Sequence, residues 1–146
     1  MNTLISALLG LLSIAGLANA LYFTLAYYGL IRAHDRVIPS VFCSAEENKC
    51  LNVLGTPYAR VFWVPNSLLG VIYYLAILGL VAWGFLSYVP SLILNSYLGV
   101  AAFTVAFGAY LTYALFFKIK IPCPLCLTGH GINLAIAAIM LWVRII

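Results

Sequence analysis

Long apolar stretches alternate with short polar segments along this chain. Three stretches contain no Asp, Glu, Lys or Arg, and they cover residues 1–31, 61–117 and 121–143. A helix needs about 20 apolar residues to cross roughly 30 Å of hydrocarbon, so the first and third stretches each predict one membrane span. The middle stretch is long enough for two spans. Pro90 marks the break between them, because proline ends a helix and disfavours helix in the residue before it.

The pattern therefore predicts an all-α integral membrane protein, a bundle of four transmembrane helices. We expect these spans near residues 4–31, 67–88, 92–117 and 123–143. The segment Ala18-Asn19-Ala20 has the small residues of a signal-peptide cleavage site. However, no Lys or Arg precedes the apolar run, and the run continues to Ile31, so we expect an uncleaved span.

The composition supports a membrane protein. Of 146 residues, 66% are hydrophobic and only 7% are charged, whereas a soluble domain carries about 25% charged residues. So few charges cannot cover a globular surface. A soluble enzyme and a nucleic-acid-binding protein are therefore excluded, despite the formal net charge of +4.

The one long polar connection covers residues 32–66. Connections above about 15 residues are usually functional or disordered. Here Ser44-Ala45-Glu46-Glu47 has the spacing of a helix-capping box and Gly55 suits a helix end, which predicts a short helix near residues 45–54. The apolar residues that follow are predicted to lie at the membrane interface as a lid; they are Tyr58, Val61, Phe62, Trp63 and Val64.

Four cysteines carry the candidate chemistry. Cys43 and Cys50 lie in the long connection, and Cys123-Pro124-Leu125-Cys126 opens the fourth span. Successive spans are antiparallel, so the first connection and the start of the fourth span lie on the same side of the membrane. Both cysteine pairs are therefore expected at one membrane face.

Two structural uses of these cysteines remain open. A disulfide between Cys43 and Cys50 closes a short loop and adds only roughly 2.5 kcal/mol in the chain-entropy model. Within one helix these residues would also be about 10 Å apart, beyond the roughly 7 Å limit for a disulfide. A zinc site usually needs two closely spaced pairs, and only Cys123 and Cys126 fit. We expect no metal.

A redox use explains more of the pattern. Cys123 and Cys126 lie three residues apart at a helix start, where the positive end of the helix dipole stabilises a thiolate. A reactive thiol at the membrane boundary can exchange with a disulfide in water on one side. On the other side it can meet a lipid-soluble acceptor, which we expect to be a quinone.

Polar side chains in the apolar spans support a quinone site. His130 and Asn133 follow Cys126 by four and seven residues, so they share its helix face. Polar groups at this depth are costly and usually serve a site or a helix contact. Asn66, at the same membrane face, can donate a hydrogen bond to a quinone carbonyl. Simpler uses remain open: a helix cap for Asn66, an interior histidine for His130, and an interhelical hydrogen bond for Asn133.

This ordered set of features resembles the vitamin K epoxide reductase family. The resemblance rests on four spans, two loop cysteines six residues apart, Thr56, Pro65-Asn66-Ser67-Leu68-Leu69-Gly70 and Cys123-Pro124-Leu125-Cys126. It implies one membrane domain over residues 1–146, with residues 32–66 as the redox loop. We expect a prokaryotic member of this family without a fused thioredoxin domain, and the charge bias described below favours an archaeal one.

The resemblance implies a membrane quinone reductase coupled to disulfide formation. Cys43 and Cys50 resemble a shuttle pair that takes electrons from a separate thioredoxin-like partner. Cys50 then passes them to Cys123, and Cys126 resembles the thiol that faces the quinone. The quinone would be of the ubiquinone, menaquinone or vitamin K type, and we expect a monomer that binds no nucleic acid.

The resemblance also assigns roles outside the cysteines. Asn66 and His130 match residues that bond the quinone carbonyls, Asn133 is a further candidate for the quinone site, and Thr56 matches a Ser or Thr linked to the reaction. The animal enzymes that reduce vitamin K epoxide carry tyrosine where this chain has His130, which favours disulfide formation over epoxide reduction. The alternatives are a vitamin K epoxide or quinone reductase proper, or a non-catalytic bundle with two structural disulfides.

Positive charges predict the sidedness. Of the seven Lys and Arg residues, only Arg144 is predicted on the membrane side opposite the cysteines. The other six are predicted on the same side as the cysteines: Arg32, Arg36, Lys49, Arg60, Lys118 and Lys120. Positive residues in short loops favour the cytoplasm, so we expect the reactive cysteines on the cytoplasmic side of the cell membrane. Family members usually direct this chemistry to the lumen or periplasm. Cytosolic disulfides are typical of hyperthermophilic organisms.

Overall fold

The computed structural model describes the four predicted spans and the segments next to them. The described residues are 3–30, 52–61, 63–86, 89–121 and 123–145. Cys43, Cys50 and nearly all of the helix predicted near residues 45–54 lie outside these ranges. Of that helix, residues 52–54 are described and are helical, and a turn follows at Gly55.

Four long helices form the fold, and each is long and apolar enough to cross a membrane. They are α1 (Thr3–Tyr27), α2 (Asn66–Leu86), α3 (Ser91–Tyr113) and α4 (Pro124–Ile145). The break between α2 and α3 falls at Pro90, which directly precedes α3. The predicted all-α membrane bundle is confirmed.

The first helix is shorter than predicted. We expected it to reach residue 31, but α1 ends at Tyr27 because Gly29 adopts a φ of +71°. Glycine enters this left-handed region without a steric cost and commonly ends helices there. The N–H of Leu30 folds back to donate to the carbonyl of Leu25 at 2.9 Å.

The third span ends in an unusual turn. After Tyr113 the chain continues as a π-helix over Ala114–Ile119, and Lys120 ends it with a φ of 57°. The N–H of Ile121 donates to the carbonyl of Leu115 at 3.2 Å, which closes this wide turn. Such turns often occur at functional sites, and here Leu115 and Ile119 line a cavity described below.

The helices pack unevenly. Within the described ranges α1 packs closely on α2 and on α4, and α3 packs on α4, whereas the consecutive helices α2 and α3 make few close approaches. Side chains such as Leu9, Ile77 and Ile136 are fully buried between them. A gap therefore remains between α2 and α3.

A small hairpin covers the end of the bundle near Cys123. Strand β1 (Arg60–Val61) pairs antiparallel with β2 (Val64–Pro65), and the Arg60 guanidinium lies 5.7 Å from the centre of the Tyr27 ring. Trp63 sits in the tight turn with a φ of 71°, and its side chain is 92% exposed. Exposed aromatic residues favour the headgroup level of a bilayer, so the interfacial lid stays a prediction for this hairpin.

Close packing of α1 on α2 depends on Gly16. A Cβ atom at this position would overlap the ring of Tyr74. We expect Gly16→Ala to lower the free energy of unfolding by about 1–3 kcal/mol, because overpacking displaces the ring. Gly10→Ala on the same helix is the control, because its Cβ would meet only Val81 Cγ1 at 4.0 Å. Detergent-induced unfolding measures both, and equal stabilities would contradict the packing.

Candidate functional site

The two described cysteines lie at the start of α4. Cys123 directly precedes the helix and is fully buried, packed with Phe23, Leu115 and Leu125. Cys126 lies in the first turn and is half-buried. Its backbone N–H donates to the sulfur of Cys123 at 3.4 Å. A helix N-terminus carries N–H groups that lack intrahelical partners, so this turn is suited to stabilise negative charge on sulfur.

A cavity lies beside Cys126, and we call it the thiol cavity. Its volume is about 160 Å³. Polar side chains from three helices line it together with the thiol: Asn19, Asn66, Ser67, Tyr74, Cys126, His130 and Asn133. Val53, Leu54 and Tyr58 cover it from the loop side. The structure therefore brings four of the candidates predicted from the sequence (Asn66, Cys126, His130 and Asn133) to one cavity.

A second cavity, of about 130 Å³, occupies the gap between α2 and α3. It shares Asn66, His130 and Asn133 with the thiol cavity. Leu69 and Phe103 also line it, and both are exposed on the outside of the bundle. We call it the lipid-side cavity, because it reaches from the polar site to the surface that faces the bilayer.

Asn66 and His130 keep their side-chain polar groups available. Neither side chain makes a hydrogen bond with another described residue. The His130 ring packs on Gly108 of α3, where a Cβ would lie 2.8 Å from Nδ1. Gly108 therefore provides the space in which the His130 ring stands between the two cavities.

The side chain of Asn133 already accepts a hydrogen bond within the protein. The Tyr74 hydroxyl lies 2.7 Å from Asn133 Oδ1 and 3.5 Å from the carbonyl oxygen of Gly129. Asn133 therefore makes the interhelical hydrogen bond that the sequence left as an alternative, and it lines both cavities as well.

A comparison with models of known protein families identifies the family of this chain. The model of the vitamin K epoxide reductase family matches residues 7–141, nearly the whole chain. The chain belongs to the vitamin K epoxide reductase family. It is thus a membrane oxidoreductase, of a family associated with quinone substrates. Compared directly with curated proteins, the sequence has no match.

Thr56 does not join the cavity-lining residues of this vitamin K epoxide reductase family member. Its hydroxyl donates to the carbonyl of Val53 at 2.7 Å. Val53 and Leu54 line the thiol cavity, whereas Thr56 does not. In the structure Thr56 therefore holds the covering turn in place, and a direct part in the reaction stays a prediction.

Asn19 is a cavity residue that the sequence argument missed. The amide nitrogen Nδ2 donates to the carbonyl of Leu125 at 3.1 Å, one residue before Cys126. The signal was available, because Asn19 is a polar residue inside an uncharged span, as are His130 and Asn133.

The fit of His130 against Gly108 can be tested without turnover. We expect Gly108→Ala to shift the ring resonances of His130 in an NMR spectrum, because the added methyl group occupies the space beside Nδ1. The chain has only two histidines, so the ring signals are readily assigned. Gly99→Ala, on the same helix with nothing within 4 Å of its Cβ, should leave them unchanged. Unshifted His130 signals in Gly108→Ala would refute the contact.

Proposed function

We propose that this protein is a quinone reductase coupled to disulfide formation. It takes electrons from the dithiol of a thioredoxin-like protein and delivers them to a quinone in the membrane. The proposal rests on the thiol cavity, because Cys126, Asn66 and His130 all line it.

The residues of the cavity fit a quinone. A quinone ring has two carbonyl oxygens that only accept hydrogen bonds, and Asn66 and His130 carry N–H donors without a described partner. Close packing on Gly108 holds the His130 ring between the two cavities. The lipid-side cavity adds a route from the bilayer between Leu69 and Phe103, which suits a lipid-soluble substrate.

The chemistry at the bundle end needs only two thiols. A bound quinone accepts two electrons and two protons and leaves as hydroquinone. Cys123 and Cys126 supply both electrons and both protons when their thiols join in one disulfide. The N–H of Cys126 donates to the sulfur of Cys123, and Asn66 and His130 hold the ring by its carbonyl oxygens.

The loop cysteines return the pair to its reduced form. In the proposed relay Cys50 attacks the Cys123 sulfur and releases the Cys126 thiol, and Cys43 then attacks Cys50, which forms the loop disulfide and releases the Cys123 thiol. The partner dithiol then reduces that loop disulfide and becomes a disulfide itself. The sum is one partner dithiol and one quinone converted into one partner disulfide and one hydroquinone.

Turnover tests this function. Purified protein should reduce a ubiquinone or menaquinone analogue in the presence of a dithiol, and Cys126→Ser should abolish the reaction. We expect His130→Ala to raise KM about tenfold through the loss of one hydrogen bond. Thr128→Val, on the exposed side of α4, is the control and should retain the activity.

Folded, fully reducible protein that turns over no quinone would contradict the proposed enzyme activity. It would favour a non-catalytic bundle with structural disulfides.

Trapping tests the relay between the two cysteine pairs. Without Cys43, the mixed disulfide between Cys50 and Cys123 cannot be resolved. We therefore expect Cys43→Ser to accumulate a Cys50-Cys123 crosslink that mass spectrometry of proteolytic peptides detects. Two structural disulfides predict no such peptide, so its absence in oxidised protein would contradict the relay.

We further propose that the reactive cysteines face the cytoplasm. Arg60, Lys118 and Lys120 lie at the end of the bundle that carries Cys123, whereas Arg144 lies at the other end and bonds Asn95 at 2.7 Å. The positive-inside bias then favours a cytoplasmic site. A membrane-impermeant thiol reagent should label Cys43 in inside-out vesicles and not in intact cells. Labelling in intact cells would reverse the orientation.

A further inference from the structure

Asn19 of α1 reaches the start of the cysteine helix. It lines the thiol cavity together with Cys126, and its Nδ2 donates to the carbonyl of Leu125. The approach is close because position 129 is glycine: a Cβ on Gly129 would lie 2.8 Å from Asn19 Nδ2. The amide is therefore held against the first turn of α4.

The hydrogen bond fixes which way the amide faces. A backbone carbonyl only accepts hydrogen bonds, so the NH₂ group of Asn19 must face Leu125, and Oδ1 takes the other position. This Oδ1 atom is buried and has no hydrogen-bond partner among the described residues. Native proteins leave few buried polar atoms unpaired, and each one calls for an explanation.

The two redox forms of the substrate differ in what they can offer this atom. A quinone has only acceptor oxygens, whereas a hydroquinone has two O–H groups that donate. Asn66 and His130 supply donors that suit the quinone. Asn133 Oδ1 is already bonded to Tyr74, and the unpaired hydroxyl of Ser67 in the same cavity can bond either form.

We propose that Asn19 is a product-binding residue, whose Oδ1 accepts a hydrogen bond from the hydroquinone and cannot bond the quinone. The inference rests on the proposed function and adds a preference for the reduced form at the same site. Hydrogen bonds between a protein and its ligand often reach their final geometry only in the complex. Asn19 thereby stabilises the product of the reaction relative to its substrate.

Equilibrium binding tests this preference without turnover. The parent protein carries Cys126→Ser, so that quinone and hydroquinone do not interconvert on it. Calorimetry under argon gives the Kd of three ligands that share one ring: the quinone, the hydroquinone and the dimethyl ether of the hydroquinone, which has no O–H. Adding Asn19→Leu should raise the Kd of the hydroquinone about tenfold, as expected for one lost hydrogen bond. The Kd of the quinone and of the ether should stay within about twofold.

The control is Ser13→Ala on the same helix. Ser13 is also fully buried with an unpaired oxygen, but it does not line the thiol cavity, so none of the three Kd values should change. The smaller variant Asn19→Ala guards against a steric effect of leucine. Unfolded protein lowers the number of binding sites that calorimetry finds for every ligand and leaves their Kd values unchanged, so it is distinguished from a change in affinity.

Each result decides the question. A selective loss of hydroquinone affinity in both Asn19 variants supports the inference. An unchanged ratio, or an equal loss for all three ligands, overturns it and leaves Asn19 as a tie between α1 and α4. If the Cys126→Ser parent binds neither the quinone nor the hydroquinone, the proposed quinone site is wrong, and this inference is wrong with it.

Discussion

The first turn of α4 is the constraint on which the site depends. A helix that begins in apolar surroundings has backbone N–H groups without intrahelical partners, and leaving one unpaired there is costly. In this chain the sulfur of Cys123 accepts the N–H of Cys126 at 3.4 Å. The same turn fixes Cys126 at the cavity, and its helix places His130 on the cavity wall one turn further along. The two candidate reactive sulfur atoms and the polar side chain of His130 are thus positioned by one helix.

The polar side chains that line both cavities differ in whether they already have a partner. Asn133 and Tyr74 bond to each other across α2 and α4, and this pairing stabilises the packing. Asn66 and His130 have no partner among the described residues, although both line the two cavities. Unpaired polar groups at this depth lower stability unless a ligand bonds them. Asn66 and His130 are therefore the side chains that we propose to bind the quinone.

The sequence predicts the spans because charged residues are costly in hydrocarbon and proline disfavours the continuation of a helix. The four uncharged spans and the break at Pro90 therefore agree with the structure. The predicted end of α1 was wrong. Apolar residues continue past Tyr27, but the positive φ of Gly29 ends the helix there. The hydropathy pattern alone does not mark that turn.

The contacts between helices were harder to predict. Helices that are apolar on every side carry little information about which face meets a neighbour. The placing of Asn19 beside Leu125, and the match of Gly108 with His130, depend on this rotation. The shared helix face of Cys126, His130 and Asn133 follows from spacing within one helix, so the sequence was sufficient for that part of the site.

A single-turnover experiment shows whether Cys123 and Cys126 alone can reduce a quinone. Protein with Cys43→Ser and Cys50→Ser retains only Cys123 and Cys126, and it is reduced, freed of dithiol and mixed with quinone under argon. We expect each chain to produce one hydroquinone, and we expect the peptide map to contain a disulfide between Cys123 and Cys126. Quinone that binds yet stays oxidised, while both thiols remain reduced, would contradict it.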